Sequence, residues 1–184
     1  MFYAKSTGGF YDTAIHGDNI PADAVEITVE EHAALLAGQS SGKRIVAEAN
    51  GGPVLQDPPP LTHAEIVAAK WDAIKAERDR RKAGGVKVKV GTTNKWFHSD
   101  DASRIQQMGL VMMGASIPAG LQWKTMDGTF VAMDQTVAGN VFAAAAASDQ
   151  AIFGVAETHK AAMEASADPS TYDFSTGWPK IYGE

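Results

Sequence analysis

The sequence has no cysteine among its 184 residues, which excludes a disulfide framework, a thiolate zinc site and a cysteine nucleophile. No apolar run approaches the ~20 residues that span a bilayer. The opening residues, MFYAKSTGGF, hold no charged stretch followed by an apolar one, so no secretory signal is expected there. Large apolar side chains are scarce. Leu, Ile, Val and Phe number 36, about 20% of the chain, whereas 31 residues are Ala. Disordered chains combine such a level with high net charge, and −6 is not high at this length. A folded chain with a thin core is expected, as one domain or two small ones. The acidic balance argues against bulk nucleic-acid binding, so neither nucleic acid nor membrane is an expected partner.

Charge is unevenly placed. Residues 1–60 carry 3 basic and 8 acidic groups, residues 61–84 carry 6 and 4, and residues 85–184 carry 7 and 10. The first block reads as short strands at 2–5 and 10–14 around Ser6-Thr7-Gly8-Gly9, with Gly17 to Pro21 as a loop. Thr28-Val29-Glu30-Glu31 is a capping box, leading into a helix over 32–37 that Gly38 is placed to end. Residues 44–48 and 53–56 are two more extended runs. A β-rich N-terminal module of about four strands and one helix is expected over 1–57.

Pro58-Pro59-Pro60 forms a stiff spacer, and Thr62 to Glu65 is a second capping box. The charged helix that follows, over 63–83, shows a narrow apolar face at Val67, Trp71 and Ile74. Past Ile74 that face becomes Arg78 and Arg81, with no core face apparent, and Gly84-Gly85 stops the helix. Spacer and helix together form a linking segment over 58–84. Such a seam suggests packing on another helix, with a second copy as one source, hence an expected homodimer through helical seams.

Residues 85–184 read as a C-terminal helix-and-hairpin domain. Val86-Lys87-Val88-Lys89-Val90 alternates strictly and Gly91 to Asn94 turns it back. A helix after Asp100 and Asp101 has its seam at Ile105, Met108, Met112 and Ala115. A second hairpin crosses Asp127-Gly128, a type I′ signal. A long Ala-rich helix over 134–166 follows, with one seam at Val141, Ala145, Ser148, Ile152, Val155 and His159, and another at Phe142, Phe153 and Met163. The irregular aromatic tail is expected to lie on a surface, its own or a partner's. The fold class is α+β.

Chemistry is hard to find. The histidines at 16, 32, 63, 98 and 159 form no H-E-x-x-H and no pair on one helical face. His98 with Asp100 and Asp101 reads more simply as a strand-end histidine beside helix-capping acids than as a metal half-site. No phosphate loop, EF-hand or G-x-S-x-G is present. The run from Arg78 to Lys82, interleaved with Glu77 and Asp79, reads as a solvated helix face. No catalytic residue, cofactor or metal is expected, and the chain is read as a non-enzyme. Aromatic residues are the stronger signal. Phe2, Tyr3, Phe10 and Tyr11 crowd one small hairpin, and Trp96, Phe97 and Trp178 repeat this in the second block. These seven are the expected partner-binding residues. The competing reading, that they are simply the core of small modules, weighs equally.

The order Phe2-Tyr3-Ala4, Gly8-Gly9-Phe10-Tyr11-Asp12 and Ile15-His16-Gly17-Asp18-Asn19-Ile20-Pro21 resembles the opening of bacteriophage tail-fibre assembly proteins. The run from Ala24 to Thr28, the helix ending at Gly38, and Asn50-Gly51-Gly52-Pro53 through the prolines extend the resemblance over about 80 residues. The second block, with Trp96-Phe97-His98-Ser99-Asp100 and Trp123 to Gly128, is similar to a domain of unassigned function recurring in phage tail-fibre proteins. The resemblance implies a chaperone for a trimeric tail fibre, of a phage or a phage-tail-like bacteriocin, that binds the fibre's C-terminal receptor-binding region. Residence in the bacterial host cytoplasm, with retention on the particle in some members, is implied with it. The rival expectation is a permanent structural tip subunit or adhesin. A metal-assisted hydrolase using His98 and Asp100 ranks last.

Overall fold

The computed structural model describes residues 1–184, which fall into two compact units, Met1–Pro60 and Leu61–Glu184. The α+β class expected from the sequence is what the chain adopts.

In the first unit, strand β1 (Phe2–Ala4) lies between β2 (Gly9–Tyr11) and β3 (Ala24–Glu26) in a three-stranded antiparallel sheet. β3 is a strand beyond the four expected. The second expected strand is shorter than predicted: Asp12 accepts from the Ala14 amide at 2.8 Å and starts a single helical turn, α1 (Thr13–His16). Gly17–Asn19 is a 3₁₀ turn rather than an open loop. The Ser6 hydroxyl and amide both donate to Asp23, at 2.8 and 2.7 Å, tying the first turn to the approach of β3.

Helix α2 (Val29–Ser40) starts at the expected capping box, with Thr28 and Glu31 bonded reciprocally. It runs past Gly38 to Ser40, with Ser41 as its C-cap. There the Gly42 amide donates to the Gln39 carbonyl and the Lys43 amide to the Gly38 carbonyl, a Schellman arrangement in which Gly42 takes φ +93°. Gly38 therefore serves packing, not capping. A Cβ there would collide with the Leu55 methyl groups, because α2 lies closely on β5 (Pro53–Gln56), the partner of β4 (Arg44–Ala47). Tyr3, Ile27 and Leu35 form the small core, flanked by Phe10, Ile45 and Leu55.

The second unit is organised by α5 (Gln135–Glu164), 30 residues long. Its first half presents Ala138, Val141 and Ala145 to the hairpin β6 (Val86–Val90) and β7 (Thr93–Phe97), with Val86, Val88 and Phe97 buried there. Val131 and Met133 join this core from and just beyond β9 (Phe130–Ala132), the partner of β8 (Gln122–Lys124). The second half presents Ile152, Ala156 and Met163 to α3 (His63–Lys82) and to the tail. Val67, Trp71 and Ile74, the narrow seam read from the sequence, pack there against α5 of the same chain.

Two turns differ from expectation. No residue other than glycine has positive φ, so Asp127 cannot occupy a type I′ turn, which needs positive φ at both central positions. Instead Gly128, at φ +83°, follows a turn closed by its amide on the Thr125 carbonyl, and the Asp127 carboxylate accepts from Thr125 and Thr129. The basic run is not a solvated face either. Arg81 is only 7% exposed, donating to Glu77, to the Pro179 carbonyl at 2.8 Å and to Glu184 at 3.1 Å. Arg78 stacks on Phe153 at 4.8 Å and Lys82 lies 5.6 Å from the same ring. The aromatic tail lies on the unit's own surface, with Trp178 and Ile181 buried. No helix is long and apolar enough to cross a membrane.

Candidate functional site

Of the seven aromatic residues predicted to meet a partner, Tyr3, Phe97 and Trp178 are buried, at 2%, 0% and 9% exposure. They hold the cores described above. Phe2, Phe10, Tyr11 and Trp96 are half-buried. Phe10 leans on Tyr3 and on His32, with ring centroids 5.4 and 4.5 Å away. Tyr11 donates to the Thr7 hydroxyl at 2.9 Å, and Trp96 meets Tyr182 edge-on at 6.1 Å. The first four share one hairpin, as the sequence suggested; Trp96 and Phe97 are neighbours on β7, and Trp178 belongs to the tail core.

Asp100 caps α4 (Asp101–Met113), accepting from the Ser103 amide and hydroxyl at 3.0 and 2.7 Å, and these bonds hold its carboxyl below the usual carboxylate range. The His98 carbonyl accepts from buried Gln107 at 2.7 Å. His159 joins the Tyr172 hydroxyl and the Thr176 carbonyl, each at 2.9 Å. No group of three or more His, Cys, Asp or Glu side chains is arranged to hold a metal.

Two apolar surfaces stand out instead. The first is an open groove of about 540 Å³ in the Met1–Pro60 unit. One wall is Val25, Glu26 and Ile27, the other Pro53, Val54 and Leu55, and α2 contributes Glu31, Ala34 and Leu35. Consecutive residues line each wall, as they do where a strand presents its edge; a strand's face would contribute alternate residues. β3 is the outermost strand of its sheet, and β5 pairs only with β4. The groove depends on β3, whose only sequence signal is the period-2 pair Val25 and Ile27.

The second surface lies in the Leu61–Glu184 unit. The α4 seam read from the sequence faces solvent: Ile105 is 66% exposed and Met112 81%. The reason is polar. Arg104 reaches from α4 to Asp149 of α5 in a two-pronged bond at 2.6 and 2.8 Å, and also donates to the Ser99 and Lys82 carbonyls. With Arg104, Gln107 and Leu110 turned inward, the Ile105–Met108–Met112 row is left outside, beside exposed Phe142.

Residues 65–176 match the family model described as "Domain of unknown function (DUF4376)". The chain is also 49% identical over 61 residues to a probable tail fiber assembly protein of Shigella phage SfV. That stretch is 33% of this chain and 36% of the relative, so the chain spans about a third of the length of the curated relative it matches. No solved structure matches. Both findings agree with the resemblance read from the sequence: a tail-fibre assembly likeness, and a second block of unassigned function.

Proposed function

The chain belongs to the DUF4376 family, and we propose that it is a non-catalytic chaperone for assembly of a trimeric tail fibre, of a phage or a phage-tail-like bacteriocin. The observation that carries this reading is the open apolar groove between two unpaired strand edges, a surface made for another polypeptide. The relative named a probable tail fiber assembly protein supplies the class of client. Trimeric fibres intertwine β-rich chains with many non-local contacts, which form slowly and leave edges exposed meanwhile. A partner that covers those edges at the fibre's C-terminal receptor-binding region suppresses aggregation without chemistry, working in the host cytoplasm where the fibre is made. Phe2, Phe10, Tyr11 and Trp96, the predicted residues left partly accessible, are the aromatic contacts available to it.

Co-expression tests the reading. A fibre that is insoluble alone should become a soluble trimer with this chain, and equal trimer yield without it sinks the proposal. Blotting of purified particles separates an assembly factor, absent from them, from a permanent tip subunit.

The outward row on α4 favours a homodimer as well. The α3 seam is occupied by α5, so the proposed dimer seam is Ile105, Met108 and Met112 with Phe142. Sedimentation should give a dimer that Met112→Asp converts to monomer; a concentration-independent monomer for the parent chain refutes it.

A further inference from the structure

Backbone parity sharpens what the groove can hold. Across the β1–β3 ladder the Ile27 amide donates to the Met1 carbonyl. Antiparallel pairs alternate between bonded and non-bonded, so Tyr3 and Val25 bond each other, and the amide and carbonyl of Glu26 point away from β1. In the other hairpin the Glu48 amide donates to the Gly52 carbonyl. The same alternation assigns Val46–Val54 to the bonded class and turns the amide and carbonyl of Leu55 and the carbonyl of Pro53 away from β4. The β5 wall therefore presents main-chain groups outward at Pro53 and Leu55, two residues apart, and the β3 wall presents those of Glu26, over a floor of Leu35 and Ala34.

Charge restricts the occupant further. The two charged residues lining the groove are Glu26 and Glu31, and no basic residue lines it. The surrounding 60 residues carry 8 acidic and 3 basic groups. An acidic occupant would be repelled and a basic one drawn in, most strongly at low ionic strength.

We infer that the groove is an acceptor site for one extended strand of a partner chain, with apolar side chains on its inward face and lysine or arginine flanking them. The strand adds to the free edge of β3 or β5 through main-chain hydrogen bonds, and alternate side chains enter the apolar floor. This inference rests on the chaperone reading for the identity of the client, but not for the binding mode.

The test uses the full chain and a labelled seven-residue peptide of alternating valine and threonine with a lysine at each end. The expected result is saturable binding by fluorescence polarisation, at least tenfold weaker for the same peptide ended with glutamates, together with slowed exchange of the Glu26 or Leu55 amide. Ala34→Trp fills the groove from an exposed helix position and should abolish binding, while Ala33→Trp, which does not line the groove, should leave it intact. Glu26→Pro removes one outward amide without touching the ladder to β1 and should weaken binding where β3 is the acceptor. Circular dichroism melts check that each variant is folded.

No saturable binding, or binding unchanged in Ala34→Trp, overturns the proposal. So does a dimer that dissociates in Ala34→Trp, because a second copy would then be the occupant. Fibre co-expression is read separately. Soluble trimer with a chain that fails the peptide test leaves the chaperone reading standing and removes the groove's role in it.

Discussion

Arg81 is the residue where charge and packing meet. Its stem continues the α3 seam, its guanidinium lies 5.6 Å from the Trp178 ring centre, and its donors hold Glu77, Glu184 and the Pro179 carbonyl. Arg81→Met keeps the stem and deletes the charge-assisted bonds, at a cost of about 2 kcal/mol. The expected readouts are a lower Tm and a tail that protease cuts sooner. Carboxylates set the pH response. Thr125, Thr129 and Lys95 hold Asp127 far below the usual carboxylate range, Ser6 lowers Asp23 and the Thr62 cap lowers Glu65. A depressed folded pKa gives stability that is present above the unfolded value, near 4, and lost as pH falls through the folded one. Thermal melts should show this stabilisation present and constant from about pH 5 to 7 and lost progressively below about 4. Asp127→Asn should lower Tm at pH 7 and make the acid fall shallower. Little of this was legible beforehand. Arg81 at seam spacing reads as the end of an apolar face, because sequence periodicity does not reveal that a tail will supply its acceptors.

Capping and alternation are local, and at the scale of elements they were legible: both capping boxes, the Val86–Val90 alternation and the extent of the long helix stand as read. What covers each face is not local. The α3 seam was correctly located, yet its cover is α5. The α4 seam was located too, yet Arg104 and Gln107 turn it outward, since a bonded polar side decides the helix's rotation where the apolar side has no cover. Gly38 shows the same limit, because a mid-helix glycine reads as a stop unless Leu55 is known to lie against it. Gly38→Ala adds about 1 kcal/mol of helix propensity but drives a Cβ into Leu55. A net loss of about 1 kcal/mol is expected in denaturant melts, and a gain would mean that Leu55 swings aside freely.

The shortage of large apolar residues becomes, for the whole molecule, three small cores instead of one large one. The core cluster of the first unit holds three buried side chains and the two clusters of the second hold thirteen, so the first should unfold at lower temperature. Trp71, Trp96, Trp123 and Trp178 all lie in the second unit. Tryptophan fluorescence should therefore report only the later transition, while far-UV circular dichroism begins to change earlier. Coincident curves would show one cooperative unit instead.

The 30 residues of α5, roughly 45 Å of helix, serve both cores of the second unit from one continuous backbone. The two cores are thereby locked in phase. One residue inserted between Ala145 and Ile152 turns the distal half by about 100° and swings Ile152, Ala156 and Met163 away from α3 and the tail. Seven inserted residues, close to two full turns, bring the halves back to within about 20° of register while lengthening the rod by roughly 10 Å. Azimuth, more than length, is what this helix transmits, so the single insertion should release the tail and the sevenfold one should largely restore it.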